Sequence, residues 1–231
     1  ITALAAKHDI AVHSDAIAAF GHVPIDFKKS GLSAMSISAH KVGGPVGVGA
    51  LILGRAAKLT PLTHGGGQER SMRSGTMNSA GAKAFAHAAT LAIAAMDTHN
   101  AHTQALVNRL RVGVEGSIEG ARFSRGSARS MPHNAHFTFE GLKSDGLLFL
   151  LDQAEIAVSA GSACQAGVDR PSHVLLAMGR NEAEANSCIR VTVGLQTTEA
   201  EIDRFLQVLA AAVATARSAN PTCRGSTRLM N

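Results

Sequence analysis

Four short segments of the 231-residue sequence carry side chains whose types and settings suit covalent or anion-binding chemistry. In Ser38-Ala39-His40-Lys41 a lysine stands where an apolar strand runs out into the glycines of Gly43-Gly44-Pro45-Val46-Gly47, a poor setting for a solvated surface charge. Desolvation favours the neutral amine of a lysine, which is the form that condenses with a carbonyl to an imine. A lysine whose ammonium simply reaches water from a strand end fits the same spacing. In His13-Ser14-Asp15-Ala16 an acid follows another strand, and open α/β sheets bind ligands outside the carboxyl ends of their strands. A lysine and a carboxylate from neighbouring strands are the pair that pyridoxal phosphate needs: one forms the imine, the other keeps the pyridine nitrogen protonated. The competing job for Asp15 is a helix N-cap.

The third segment, Ala160-Gly161-Ser162-Ala163-Cys164, sets a cysteine among small residues in a glycine-bearing loop. Reactive thiols need such accessibility, although a turn can hold a cysteine without using it. The fourth, Ile189-Arg190-Val191-Thr192-Val193, places a guanidinium inside an apolar strand. A charge there must meet an anion, either a bound carboxylate gripped by the bidentate fork or an internal acid. Cys188, in the same strand, reads as a small core residue, and Cys223 as incidental. Two other motifs carry less. His64-Gly65-Gly66-Gly67 resembles a hydrolase oxyanion-hole stretch, but no G-x-S-x-G nucleophile elbow accompanies it. His-Asn-Ala-His occurs at 99–102 and 133–136 without a carboxylate at ligand spacing, so solvated or core histidines are favoured over a metal site.

Elements of two kinds must position these groups. Strands are expected over Ile10–His13, Leu32–Ser38 and Val48–Leu53, the last apolar enough to be covered on both faces. Ser79 to about Val114 reads as one long helix or two. A loop is expected over Gly120–Arg129, followed by a strand at Ala135–Phe139, a helix at Ser144–Gln153 and a strand at Ile156–Val158. After a loop at Ser159–Pro171 come a short helix ending near Gly179, a strand at Ser187–Val193 and an amphipathic helix from Thr198 to about Ser218. Thr198 with Glu201 forms a capping box for that last helix. The pattern is α/β followed by a smaller α+β unit, divided as 1–95, 96–218 and a loose tail at 219–231.

Composition excludes several classes. With 45% apolar and 17% charged residues the chain is not disordered. Three cysteines without CxxC spacing are neither a disulfide scaffold nor a zinc module. No run of about 18 apolar residues suggests a membrane span. The net charge of +5 is scattered and aromatics are 3%, which fits anionic small molecules better than nucleic acid. Thiols without an export signal point to a reducing cytoplasm. The chain opens on a helix end and a strand with no strand before them, so it is expected to be the C-terminal portion of something longer.

Together the segments resemble the cysteine desulfurases of the NifS/IscS type, in the class V aminotransferase group of pyridoxal-phosphate fold type I. The matching stretches are His13–Ala16, Ser38–Pro45, His64–Arg70 with Arg73–Thr76, Ser159–Cys164, Pro171–Leu175 and Ile189-Arg190, in the family's order. The resemblance implies the C-terminal part of a cofactor-binding large domain, a mostly parallel sheet with helices, followed by a small α+β domain. It implies that Lys41 carries the cofactor and later moves the substrate α-proton. By the same likeness Asp15 partners the pyridine nitrogen, Ser38 and His40 contact the cofactor, and Ser38 does so at the phosphate. Thr76 resembles a threonine that reaches the partner subunit's phosphate in a homodimer. Arg190 resembles the clamp for the substrate carboxylate.

Cys164 resembles the nucleophile that takes the sulfur of L-cysteine as a persulfide and leaves L-alanine. The resemblance further implies an iron–sulfur scaffold or another sulfur acceptor as partner, with Cys164 a ligand it could share with a scaffold's cluster, and no intrinsic metal site. Nearest alternatives are another class V aminotransferase, a selenocysteine lyase, or a non-catalytic fragment. One departure stands out: Ala18 occupies the place of a glutamine that contacts the cofactor's phenolic oxygen. The family's first phosphate loop and ring-stacking histidine would lie before Ile1, so the chain alone is expected to bind cofactor poorly.

Overall fold

A computed structural model describes residues 1–124, 130–160 and 171–219. Cys164, Cys223 and the expected tail beyond Ala219 lie outside the described residues. The chain divides into two compact units, Ile1–Thr98 and His99–Asn231.

The first unit opens with helix α1 (Thr2–Ala6) and carries a three-stranded sheet in the order β1 (His13–Asp15), β2 (Ala34–Ser38), β3 (Gly49–Leu53). Between β1 and β2 lies the short helix α2 (Phe27–Ser30), capped by the Asp26 side chain and closed by Gly31. β1 runs parallel to β2, with Asp15 opposite Ser36, and β3 returns antiparallel. β1 starts later than its apolar run suggests: Ile10 is exposed, and at Val12 the carbonyl accepts from the Ser33 and Ala34 amides while the amide donates to Ser33 Oγ at 3.3 Å. β3 corrects a second expectation. It is an edge strand whose first three residues are exposed, so its apolar sequence is not covered on both faces by the described residues. Helix α3 (Ser79–Ala94), capped by Asn78, buries Gly81, Phe85 and Ala88, a four-and-three spacing on one face. That face supports the turn after β2, and Phe85 meets Phe20 edge to face at 6.1 Å.

In the second unit β4 (Ala121–Phe123), β5 (Asn134–Phe139) and β6 (Cys188–Thr192) form an antiparallel sheet in chain order. Ala135, Phe137 and Phe139 of β5 face a core built with α4 (Met96–Ser117), α5 (Ser144–Gln153) and α8 (Glu199–Ala219). Two short helices, α6 (His173–Ala177) and α7 (Glu182–Ala185), lead into β6. The α7 turn has its own capping box from Asn181 and Glu184. Cys188 is buried, as its place in an apolar strand suggests.

Two expectations change here. The stretch read as a loop contains β4, which pairs with the far end of β5. Ile156–Val158 is not a strand; pairing begins only at Ser159, a single bridge to Arg190. The capping box of α8 forms as expected: the Glu201 amide donates to Thr198 Oγ1 at 3.3 Å, and the Thr198 amide donates to Glu201 Oε2 at 2.7 Å. Those bonds hold the Glu201 carboxyl below its ordinary pKa, with the Thr198 amide the larger cause. Replacing Thr198 with alanine should lower stability by about 1 kcal/mol, read from the urea midpoint.

Candidate active site

The parallel pairing of β1 and β2 brings their carboxyl ends to one edge of the first sheet, the edge at which open α/β sheets bind ligands. Asp15 ends β1 and Ser38 ends β2. Asp15 is exposed, and its Oδ1 accepts the Ile17 amide at 2.9 Å, starting the turn that follows. One carboxylate oxygen thus holds the turn, and the other is left for a ligand. Asp15 therefore does part of the capping work that competed with a ligand role, without exhausting its acceptors. Ala18 sits exposed in the same turn and offers only a methyl group.

Ser38 is buried, and its hydroxyl lies 2.6 Å from His40 Nδ1. The chain then closes a one-turn 3-10 helix over Ala39–Lys41. Fully buried Ala39 anchors it. The Ala39 amide donates to the Val48 carbonyl at 3.0 Å, while its own carbonyl accepts from Val42 and Gly44 at 3.0 and 2.9 Å. Lys41 is exposed, the setting of a lysine whose ammonium reaches water from a strand end rather than of one drawn in.

Two contacts tie the Asp15 turn to the Lys41 turn. His22 Nε2 lies 3.3 Å from the Lys41 carbonyl oxygen. Gly21, at φ +77°, approaches so closely that a Cβ would stand 2.7 Å from Val42 Cγ1. Gly44 is held as tightly: its Cβ would lie 3.0 Å from Ala39 Cβ and 3.3 Å from Ala88 Cβ. Substituting Gly44 with valine should therefore displace the Ala39–Lys41 turn, cost roughly 1–3 kcal/mol by overpacking, and lower affinity for pyridoxal phosphate when titrated by absorbance.

Thr76 is exposed on the segment that leads to α3. That segment is folded on itself: Ser74 Oγ donates to the Gly66 carbonyl at 2.9 Å, and the Gly75 amide donates to Gln68 Oε1 at 3.2 Å. Glu69, Arg70 and Ser71 follow each other in the left-handed region, at φ 47°, 57° and 62°. Such a turn costs about 1–2 kcal/mol per residue that is not glycine.

Arg190, in the second unit, lies in β6 between two neighbours. It pairs with His136 of β5 on one side and exchanges both backbone hydrogen bonds with Ser159 on the other, at 2.6 and 3.1 Å. Among the described residues no acidic side chain forms an ion pair with Arg190, so the internal salt bridge considered from the sequence does not form there. Ser159 is also the residue from which the chain sets out toward Cys164, five positions on. His136 and Ser159 were not singled out as site residues; the period-two register of β5 against β6 is the signal that could have found His136. The 133–136 histidines open a strand rather than sharing a helix face. Among the described residues no three His, Cys, Asp or Glu side chains are placed to hold a metal ion, and no helix is long and apolar enough to cross a membrane.

A family profile described as aminotransferase class-V matches residues 1–205. The chain belongs to that family. This class-V chain is 45% identical over 229 residues to the "IscS-like cysteine desulfurase" of Mycobacterium tuberculosis (strain ATCC 25618 / H37Rv), a match covering 99% of the chain and 58% of that protein. It is 36% identical over 223 residues to the "Cysteine desulfurase NifS" of Azotobacter vinelandii, with 96% and 56% covered. Its structure superposes on the NifS-like protein from Rickettsia africae ESF-5 with a TM-score of 0.83 at 29% identity, over 92% of this chain and 56% of that one. The class-V chain thus spans little more than half the length of the curated relatives it matches. Class-V aminotransferases are in general pyridoxal-phosphate dependent, and their fold is the mixed α/β fold seen here.

The first unit's donor set suits that cofactor. An aspartate with one oxygen to spare ends β1, and a serine hydroxyl and a lysine amine stand at and just past the end of the parallel β2, the group types that a pyridinium nitrogen, a phosphate and an aldehyde require.

Proposed function

We propose that this chain carries the catalytic lysine and the small domain of a cysteine desulfurase, which converts L-cysteine to L-alanine and leaves the sulfur on Cys164 as a persulfide. The observation that carries the reading is the packing of the turn after Asp15 on the Lys41 turn, through the Gly21–Val42 approach and the His22 contact with the Lys41 carbonyl, in a chain 45% identical to a named desulfurase. The first unit is then the C-terminal part of the cofactor-binding large domain, and the second the small domain.

In this reading pyridoxal phosphate, when bound, supplies an aldehyde for covalent attachment and a ring that stabilises negative charge at the substrate carbon. Lys41 is the point of attachment and, once released by the substrate amine, takes the α-proton on Nζ. Asp15 holds the pyridine nitrogen protonated with the carboxylate oxygen that Ile17 leaves open. Ser38, assisted by His40, donates to the phosphate, and Thr76 does the same in a second copy of the chain. Arg190 grips the substrate α-carboxylate. The Cys164 thiolate attacks the substrate sulfur, and the carbon–sulfur bond breaks. Its electron pair stays on carbon and is protonated to alanine, while Cys164 holds the second sulfur. The persulfide then passes to a thiol acceptor or an iron–sulfur scaffold in the cytoplasm.

The Ser159–Arg190 bridge supports this division of labour, because it starts the Cys164 loop beside the carboxylate clamp. Incubating the protein with pyridoxal phosphate and L-cysteine should yield L-alanine and protein-bound sulfur in equal amounts. Amino-group transfer to an added 2-oxo acid, without alanine, would favour an aminotransferase instead. A chain that forms neither product and takes up no cofactor would favour a non-catalytic role.

A further inference from the structure

The polar face of the second sheet holds one group that the scheme above leaves unused. Along β5, Ala135, Phe137 and Phe139 point into the core, so Asn134, His136 and Thr138 share the opposite face. His136 stands directly across from Arg190. The Phe139 amide donates to the Ser187 carbonyl at 2.8 Å, and the Val193 amide donates to the His133 carbonyl at 3.0 Å. By alternation His136 and Arg190 form a pair without mutual backbone hydrogen bonds, the sort whose Cα atoms approach to about 4.5 Å and whose side chains lie closest. Their backbones are held from outside the pair: the Ser124 amide donates to the His136 carbonyl at 2.8 Å, and Ser159 takes both Arg190 groups.

The His136 ring has unequal nitrogens. Nδ1 is shut off from water and has no hydrogen-bond partner. A proton there would be an orphaned buried N–H, rarer in folded proteins than an orphaned acceptor. Burial first, and then the Arg190 charge, push the imidazolium below its ordinary pKa. Arg190 from β6 is the charged group directly across from the ring; from β4, Ser124 is opposite it and Arg122 stands one step along the same face. The ring is then neutral near pH 7 and carries its hydrogen on Nε2.

We propose that His136 is a second carboxylate-binding residue beside Arg190, its Nε2–H donating to the carboxylate that the guanidinium grips. This rests on the reading of Arg190 as the substrate clamp. A neutral donor adds a hydrogen bond to the anion without a second positive charge that would repel Arg190 and need its own counter-ion. The His136–Arg190 pair then carries one formal charge, matching one carboxylate.

The test uses the pyridoxal-phosphate-loaded protein and two ligands that differ by one group, L-alanine and ethylamine. His136→Leu should weaken L-alanine binding about tenfold, the scale of losing a hydrogen bond to a charged group, and leave ethylamine unchanged. His136→Gln, which can still offer an N–H at a similar reach, should keep most of the affinity, and Arg190→Gln should lose it. If His136→Leu binds L-alanine normally while Arg190→Gln does not, the inference falls and the Arg190 reading stands; if neither loses affinity, both fall. Equal losses for ethylamine, or equal losses in the Leu and Gln variants, overturn the inference as well. Nitrogen-15 spectra of the wild-type histidines, without cofactor, give an independent readout: the expected form at pH 7 is neutral with the proton on Nε2, and an Nδ1–H tautomer or an imidazolium overturns the proposal.

Discussion

Lys41→Ala protein should show no covalent attachment of pyridoxal phosphate and no measurable alanine formation from L-cysteine, a loss of at least about 10³-fold. The loss is large because, in the proposed function, one side chain does two jobs in sequence, anchoring the aldehyde and then moving the α-proton. Lys41→Arg is the sharper variant. It keeps a positive charge at the end of the Ala39–Lys41 turn, yet guanidinium neither forms the imine nor gives up its proton. Equal inactivity of the alanine and arginine variants, with unfolding midpoints close to that of the parent, would assign the effect to amine chemistry. Exposure of Lys41 in this chain makes both substitutions sterically harmless, so stability should change by no more than about 0.5 kcal/mol.

Cys164→Ala should abolish persulfide formation while leaving cofactor uptake intact. Lys41 and Asp15 belong to the first unit and Cys164 to the second, so the two variants separate the two halves of the reaction. The cysteine variant should still hold pyridoxal phosphate and still bind L-cysteine through Arg190, but sulfide release should fall by about 10²-fold or more, since the group that accepts the sulfur is gone. Cys164→Ser should behave the same way, because a hydroxyl oxygen is a poor acceptor of sulfur. Sulfide release that survives both substitutions would move the protein toward a lyase that frees its sulfur without a thiol intermediate.

Much of this was legible in the order of residues, and the exceptions have physical causes. Helix α5 and the capped start of α8 follow from local rules: apolar spacing, and a Thr198–Glu201 pair that satisfies two amides. The chemistry of Asp15, Ser38 and Lys41 was legible because each sits where a strand ends. The contact between the turns that follow the two strands was not. The approach of Gly21 to Val42 is a contact between two turns about twenty residues apart, and no period in the sequence announces it.

Strand β4 was hidden because three residues between glycines and serines have no pattern of their own, and pairing with Phe137–Phe139 creates them. Ile156–Val158 failed in the opposite sense: an apolar run invites a strand, but among the described residues pairing comes only at Ser159. Lys41, whose spacing fits either a desolvated amine or one that reaches water, is exposed, since covering an amine takes neighbouring chain and strand-exit position says nothing about that. His136 belongs with these. Its spacing from His133 favoured a solvated or core histidine over a metal ligand, and its register sets it directly across from Arg190.

The central claim is that sulfur leaves L-cysteine and arrives on Cys164. Mass spectrometry reads this directly on protein loaded with pyridoxal phosphate, mixed with L-cysteine and alkylated at once. The account predicts one added sulfur atom on the peptide containing Cys164, in step with L-alanine and absent from the Lys41→Ala protein. Alanine produced with Cys164 unmodified, or the added sulfur found only on Cys188 or Cys223, would contradict it.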